Sequence, residues 1–293
     1  MLGFAARAGC VSVHVRLMVY AGCVEADSSR SQNDSGCSRM MKPQTKSAKA
    51  RARLRAFVLD RVAPQQLAFD WYRYSVTSPF LVSGPAKFLN IGTGGGLETL
   101  ALLRRGNRVT TLDIAPDVVA RTRDRVERNG FGDRHVGLMG HVLDVELDER
   151  FDGILMCEVL EHIKDDFRTI ERLSNWLVPG GRLVMTTPTA SHGQLHGDKI
   201  TTVEDGGHVR VGYDGPELDA MFADAGLVTL RRVYLGHRLA RGHLWCDRHL
   251  RARSSTRWMA VPLSLMSRPW MPWLDAWQGR PLCQLSLAVK RHR

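Results

Sequence analysis

Nine residues, Phe88-Leu89-Asn90-Ile91-Gly92-Thr93-Gly94-Gly95-Gly96, constrain the fold of this chain more than any other stretch. An apolar run suited to a strand buried on both faces passes directly into a turn rich in glycine. Leu97 to Leu103 are mostly apolar and helix-forming, and Gly106 can end that helix. A second apolar segment, Val109 to Leu112, stops at Asp113. Strand, glycine turn, helix, strand and terminal acid form the unit that binds an adenosine-containing cofactor at the carboxyl edge of a parallel sheet.

Glycine spacing separates two kinds of cofactor. A dinucleotide fingerprint needs Gly at its first, third and sixth positions, the sixth allowing close helix–strand packing over a pyrophosphate. Counted from Gly92, the sixth position is Leu97. The glycines fall instead at Gly92, Gly94 and Gly96, with Gly95 extra. Such a turn lets the backbone approach a bulky ligand without demanding a phosphate. Asp113 follows about 20 residues later, the distance expected of a carboxylate that accepts from ribose hydroxyls.

Three segments, in order, resemble the class I S-adenosylmethionine-dependent methyltransferases. Asn90-x-Gly92-x-Gly94-x-Gly96 resembles the first motif of that family, which usually begins with Asp or Glu. Phe151 to His162 resembles the fourth strand and its following Leu-Glu-His segment, and Leu177-Val178-Pro179-Gly180-Gly181 the turn before the fifth strand. The resemblance spans roughly residues 86 to 230. It implies a Rossmann-like, doubly wound α/β fold: a mostly parallel seven-stranded sheet with helices on both faces. It also implies S-adenosyl-L-methionine as cofactor. On that reading Gly92, Thr93, Gly94 and Gly96 cradle the methionine part, and Asn90 can fix the turn by hydrogen bonding. Asp113 would hold the ribose and Ile114 would lie against the adenine. Asp144 and Val145 would close the third strand at the adenine-recognition position. Cys157 and Glu158 would floor the pocket, although a buried cysteine is equally a small core residue.

The rest of the chain frames this core. At 293 residues and 44% hydrophobic content, one catalytic domain with extensions fits. Residues 1 to about 45 read as a disordered or over-long N-terminal extension, with Met40-Met41 a plausible start. Arg7 and Arg16 break the apolar run that a secretory signal would need. Residues 46–85 read as a helical segment whose aromatics Phe69, Trp71, Tyr72 and Tyr74 form either a lid or a helix on the sheet edge. The core occupies 86–235 and 281–293, with strands at 87–91, 108–113, 138–143, 151–157, 182–187, 227–235 and 282–289. Helices are expected at 96–105, 116–129, 165–177 and 215–225. Alternation of this kind implies a parallel sheet covered on both faces.

Residues 236–280 interrupt the pattern with six arginines between 238 and 257, followed by Trp258, Trp270, Trp273 and Trp277. Basic residues beside tryptophans suit a membrane interface, and equally an acceptor pocket or an ordinary insert. The formal charge of +11 permits attraction to anionic surfaces without establishing it. No apolar run reaches transmembrane length. The six cysteines are scattered, so reduced thiols in a cytoplasmic protein are expected, peripheral at the inner membrane if 236–280 meets lipid, and no metal centre.

The implied reaction is displacement at a sulfonium methyl, for which the protein chiefly holds donor and acceptor at near-attack distance. His162 and His208 are the candidate general bases, being titratable near neutral pH and close to strand ends. Either could instead organise its loop. The branch of the family with these motifs acts mostly on quinones, lipids, sugars and secondary metabolites, so the expected partner is a small-molecule acceptor methylated at a hydroxyl. RNA or protein methylation is the rival reading. Nucleic acid is disfavoured because Cys157-Glu158-Val159-Leu160 stands where an Asn/Asp-Pro-Pro-Tyr/Phe motif would be. A non-catalytic binding protein is a further rival, opposed by the intact glycines and Asp113. Oligomeric state has no signature in the sequence.

Overall fold

The computed structural model describes residues 68–190, 200–204, 207–252 and 279–292, with scattered positions between 255 and 270. Seven strands form one sheet: β1 (Lys87–Ile91), β2 (Arg108–Asp113), β3 (His135–Met139), β4 (Phe151–Cys157), β5 (Leu177–Pro188), β6 (Leu227–Leu235) and β7 (Cys283–Lys290). Their order is β3-β2-β1-β4-β5-β7-β6. Strands β1 to β5 pair in parallel, and β7 lies antiparallel between β5 and β6. This is the mostly parallel, doubly wound sheet expected from the sequence. Its strand order reverses between β1 and β4, which opens a crevice at the carboxyl ends of the strands.

Side-chain alternation divides the core between the two faces. Ile154, Met156, Leu183 and Met185 pack with Ile170, Leu173, Leu218 and Phe222 of helices α4 (Asp166–Trp176) and α5 (Gly215–Asp224). On the other face Phe88, Leu155, Val184 and Leu285 meet Leu100, Leu103 and Val126 of α2 (Leu97–Arg104) and α3 (Pro116–Arg128). Helix α2 is buried from Leu97 to Leu103, five apolar residues with Glu98 and Thr99 buried among them. Each such leucine contributes about 1.5–3 kcal/mol of burial. Pro116 opens α3, where its missing N–H costs nothing. Lys290 of β7 donates its ammonium to the carbonyls of Ser174 and Leu177 at 2.7 and 2.9 Å, closing the end of α4.

Most expected boundaries agree within a residue or two, and β5 starts earlier because Leu177 pairs with Phe151. The third strand is the exception: it runs over His135–Met139 and not 138–143. Its extent is set by pairing with β2, from Val109 opposite His135 to Asp113 opposite Met139. Val142 and Leu143 suit a strand, yet Val142, Val145 and Leu147 enter the core from a loop. Within the aromatic segment, α1 (Ala68–Thr77) forms a helix whose Tyr72 is buried against the α2 face. Part of the basic insert forms α6 (Arg238–Ala252), which packs on α1. The 1–45 extension, the helix expected over 47–67 and most of 253–278 lie outside the described residues.

Candidate active site

The glycine turn joins β1 to α2 at the crevice. Gly92 takes φ +69°, and a Cβ there would lie 2.2 Å from Cγ2 of Val159. Its N–H donates to Leu112 O at 2.9 Å, so turn and β2 are held together. Thr93 N–H donates to Asp113 Oδ2 at 2.9 Å, and Ala115 N–H to Asp113 Oδ1 at 3.0 Å. Asp113 thus fixes the turn with one oxygen and the start of α3 with the other. The Thr93 hydroxyl also reaches Oδ2, at 3.4 Å, so Oδ1 is the oxygen with room to accept from a ribose hydroxyl. Gly96, at φ +71°, caps α2, while the Arg125 guanidinium donates to the Gly95 carbonyl. Gly94 is exposed at the tip of the turn. Asn90 is buried and donates to Thr99 Oγ1 at 2.9 Å, binding β1 to α2.

A cavity of about 240 Å³ opens beside the turn, lined by Ile91, Gly92, Leu112, Asp113, Ile114, Gly140, His141, Val142, Val159, His162, Ile163 and Glu204. Ile114 remains 57% exposed on this wall, an apolar surface offered to the cavity. One carboxylate at the strand end, an apolar slot beyond it and a Cβ-free approach at Gly92 fit an adenosine group. The space a side chain would fill at Gly92 is also what brings Val159 against the turn.

Not every expected residue lines this cavity. Asp144 and Val145 do not, because β3 ends at Met139: Asp144 is exposed, and Val145 is buried in the core with its carbonyl accepting from Arg172. The positions after β3 that do reach the cavity are Gly140, His141 and Val142. Cys157 and Glu158 end β4 behind the turn, alongside buried Glu98, which lies 4.0 Å from Arg73 of α1. Burial, reinforced by the Glu98 charge, pushes the Cys157 thiol up to about 12, so it stays neutral. Glu158 adopts φ +53°, a left-handed conformation uncommon outside glycine.

The two histidines come together. The rings of His162 and His208 meet edge to face with centroids 4.7 Å apart. His162 Nδ1 lies 2.9 Å from Gly207 O, so Nδ1 carries the proton and Nε2 is the basic atom of the neutral ring. Nε2 lies 3.8 Å from Oε1 of Glu161, which is 1% exposed on its side chain. Burial, and next the neighbouring Glu158 charge, raise the Glu161 carboxyl well above its ordinary value. Ligand atoms of Glu161, His162 and His208 fall within 4.8 Å of one another, a mixed set capable of taking a divalent ion. Sequence spacing hid this group, because His208 arrives from a distant loop. His192 and His196 lie outside the described residues.

The segment carrying His208 is anchored by its own next residues. Arg210 donates to Asp166 at 2.6 Å and Glu217 at 2.5 Å, and its guanidinium lies 4.0 Å from the Tyr213 ring centroid. Tyr213 is fully buried, its hydroxyl donating to Asp166 Oδ2 at 3.0 Å. These contacts tie the loop to the starts of α4 and α5 and hold His208 beside β4.

Strand order, glycine turn and strand-end acid define a doubly wound α/β architecture with a cofactor crevice at the switch point. Residues 89–185 match the family model described as "Methyltransferase domain". A ubiquinone biosynthesis O-methyltransferase of Xylella fastidiosa (strain 9a5c) is 35% identical over 103 residues, 35% of this chain and 42% of that protein. One from Xanthomonas axonopodis pv. citri (strain 306) is 31% identical over 120 residues, 41% of this chain and 50% of that protein. The chain therefore spans half or less of these relatives' length. Among solved structures, the N-methyltransferase NodS from Bradyrhizobium japonicum WM9 in complex with S-adenosyl-L-homocysteine superposes with a TM-score of 0.51 at 18% identity, over 83% of this chain and 99% of that one. The [4+2]-cyclase SpnF superposes at 0.52 with 16% identity, over 75% of this chain and 81% of that one. Such likeness establishes the fold, which different reactions share.

Proposed function

We propose that this chain transfers a methyl group from S-adenosyl-L-methionine to a hydroxyl oxygen of a small molecule: a quinone, lipid, sugar or related metabolite. The observation that carries this reading is the cavity at the strand-order reversal, an apolar slot running from the Asp113 carboxylate past Ile114. The two O-methyltransferase relatives support oxygen as the acceptor atom.

When bound, the cofactor supplies an electrophilic methyl carbon on a sulfonium, open to in-line displacement by the acceptor oxygen. The residues of this chain mainly position the reactants. Gly92 to Gly96 shape the backbone around the donor, and Asp113 accepts from its sugar hydroxyls. His162 takes the acceptor's proton at Nε2, with Nδ1 held by Gly207 and His208 packed against the ring. Stretch 236–280 rests on an anionic membrane surface at the cytoplasmic face, with Trp245 and Trp270 exposed at 56% and 63%.

Titration calorimetry with S-adenosyl-L-homocysteine tests the cofactor. Wild-type protein should bind it, and Asp113→Ala should weaken binding by about ten-fold or more; unchanged affinity would sink the reading. Tritiated-methyl transfer into small-metabolite, lipid and RNA extracts tests the acceptor class, and incorporation into RNA alone would overturn it.

A further inference from the structure

We propose that Glu204 and His141 together read the adenine edge of the bound cofactor, Glu204 accepting from the exocyclic amine and His141 donating to an adjacent ring nitrogen. The inference rests on the S-adenosyl-L-methionine reading and assigns the base-recognition role to residues far from the position expected in the sequence. Both side chains line the cavity that the glycine turn borders, and Ile114, Val142 and Ile163 supply apolar walls for a flat ring.

Hydrogen bonding sets the polarity of each group. Leu143 N–H donates to His141 Nδ1 at 3.3 Å. A ring nitrogen that accepts carries no proton in neutral imidazole, so Nε2 bears the hydrogen. Lys164 N–H donates to Glu204 Oε1 at 2.6 Å, which fixes the carboxylate and leaves Oε2 toward His141. Oε2 and Nε2 are 3.7 Å apart, beyond a good hydrogen bond to each other. The pair therefore presents a donor and an acceptor side by side at the mouth of an apolar slot. An adenine edge presents the complement: an N–H donor on the 6-amino group and a neighbouring ring nitrogen that accepts. Asp144, the acid nearest in sequence, is exposed and lies outside the cavity lining. Glu204 reaches the slot from the loop between β5 and α5.

The test compares S-adenosyl-L-homocysteine with its 6-deamino purine analogue by calorimetry, alongside thermal melting of every variant. Wild-type protein should prefer the amine-bearing ligand by about ten-fold or more, the worth of a hydrogen bond to a charged group. Glu204→Ala should bind both ligands alike, at the affinity wild type shows for the analogue. Glu204→Gln keeps the bond to Lys164 N–H through its one amide oxygen and turns its NH2 toward the adenine amine, so its preference should also be lost, which holds even if the alanine variant is unstable. Equal binding of both ligands by wild type, or full preference retained in Glu204→Ala, would overturn the assignment while leaving the cofactor reading intact. Binding of neither ligand by wild type would overturn both.

Discussion

At Gly92 two separate penalties meet a side chain: a left-handed backbone and the Val159 methyl 2.2 Å from where a Cβ would sit. Gly94 shares only the first, since nothing lies within 4 Å of its Cβ position. Gly94→Ala should cost about 1–2 kcal/mol in urea unfolding, the ordinary price of that conformation. Gly92→Ala should cost more, about 2–4 kcal/mol with the clash included, and should weaken S-adenosyl-L-homocysteine binding in the same preparation. Glu161 makes a different prediction. Its buried carboxyl keeps a proton that the unfolded chain releases above its ordinary value of 4.5. The folded state therefore binds more protons between that value and the raised one, and stability falls as pH rises through this window. Glu161→Gln removes that titration. Urea unfolding between about pH 5 and about pH 8 should show a smaller loss in the variant than in wild type; parallel curves would show that Glu161 is already ionised in the fold.

Among the elements, the loop from β5 to α5 does most to finish the site. Its middle lies outside the described residues, but both ends are tied down. Glu204 bonds Lys164 N–H, and Arg210 bridges α4 and α5 through Asp166 and Glu217. Arg210→Ala removes both ion pairs and should cost about 1–3 kcal/mol by urea denaturation, the lower part reflecting solvent screening. It should also disturb His208 and His162 more than Asp113, so methyl transfer should fall further than S-adenosyl-L-homocysteine affinity. The third strand shows how pairing overrides local pattern. Val142, Leu143 and Val145 carry strand-like residues, but β2 ends at Asp113 and offers no partner beyond Met139. The chain turns there, and this turn brings His141 to the cavity in place of Asp144.

At the scale of the whole molecule, sheet order places one crevice between β1 and β4, and every residue of the cavity comes from strand ends or the loops beyond them. The +11 charge is distributed unevenly, with eight arginines against two aspartates in residues 236–280. No helix of the described residues is long and apolar enough to cross a membrane. Peripheral contact predicts that the full chain floats with vesicles containing anionic lipid and that added salt releases it. Equal flotation with neutral vesicles, or none with either, would remove lipid from the proposed partners.

Fold and donor site were legible in the sequence because their signals are local. Buried parallel strands are continuous apolar runs, the turn needs glycine for its backbone, and Asp113 ends its strand within 21 residues of Gly92. The mate of His162 and the acid facing His141 come from residues 40 or more positions away. No spacing along the chain encodes such meetings. They arise only when the sheet sets which strand ends lie side by side and the returning loop is pinned across them, so the glycine turn and its facing acid were written in sequence, and the meeting of Glu204 with His141 was decided by tertiary packing.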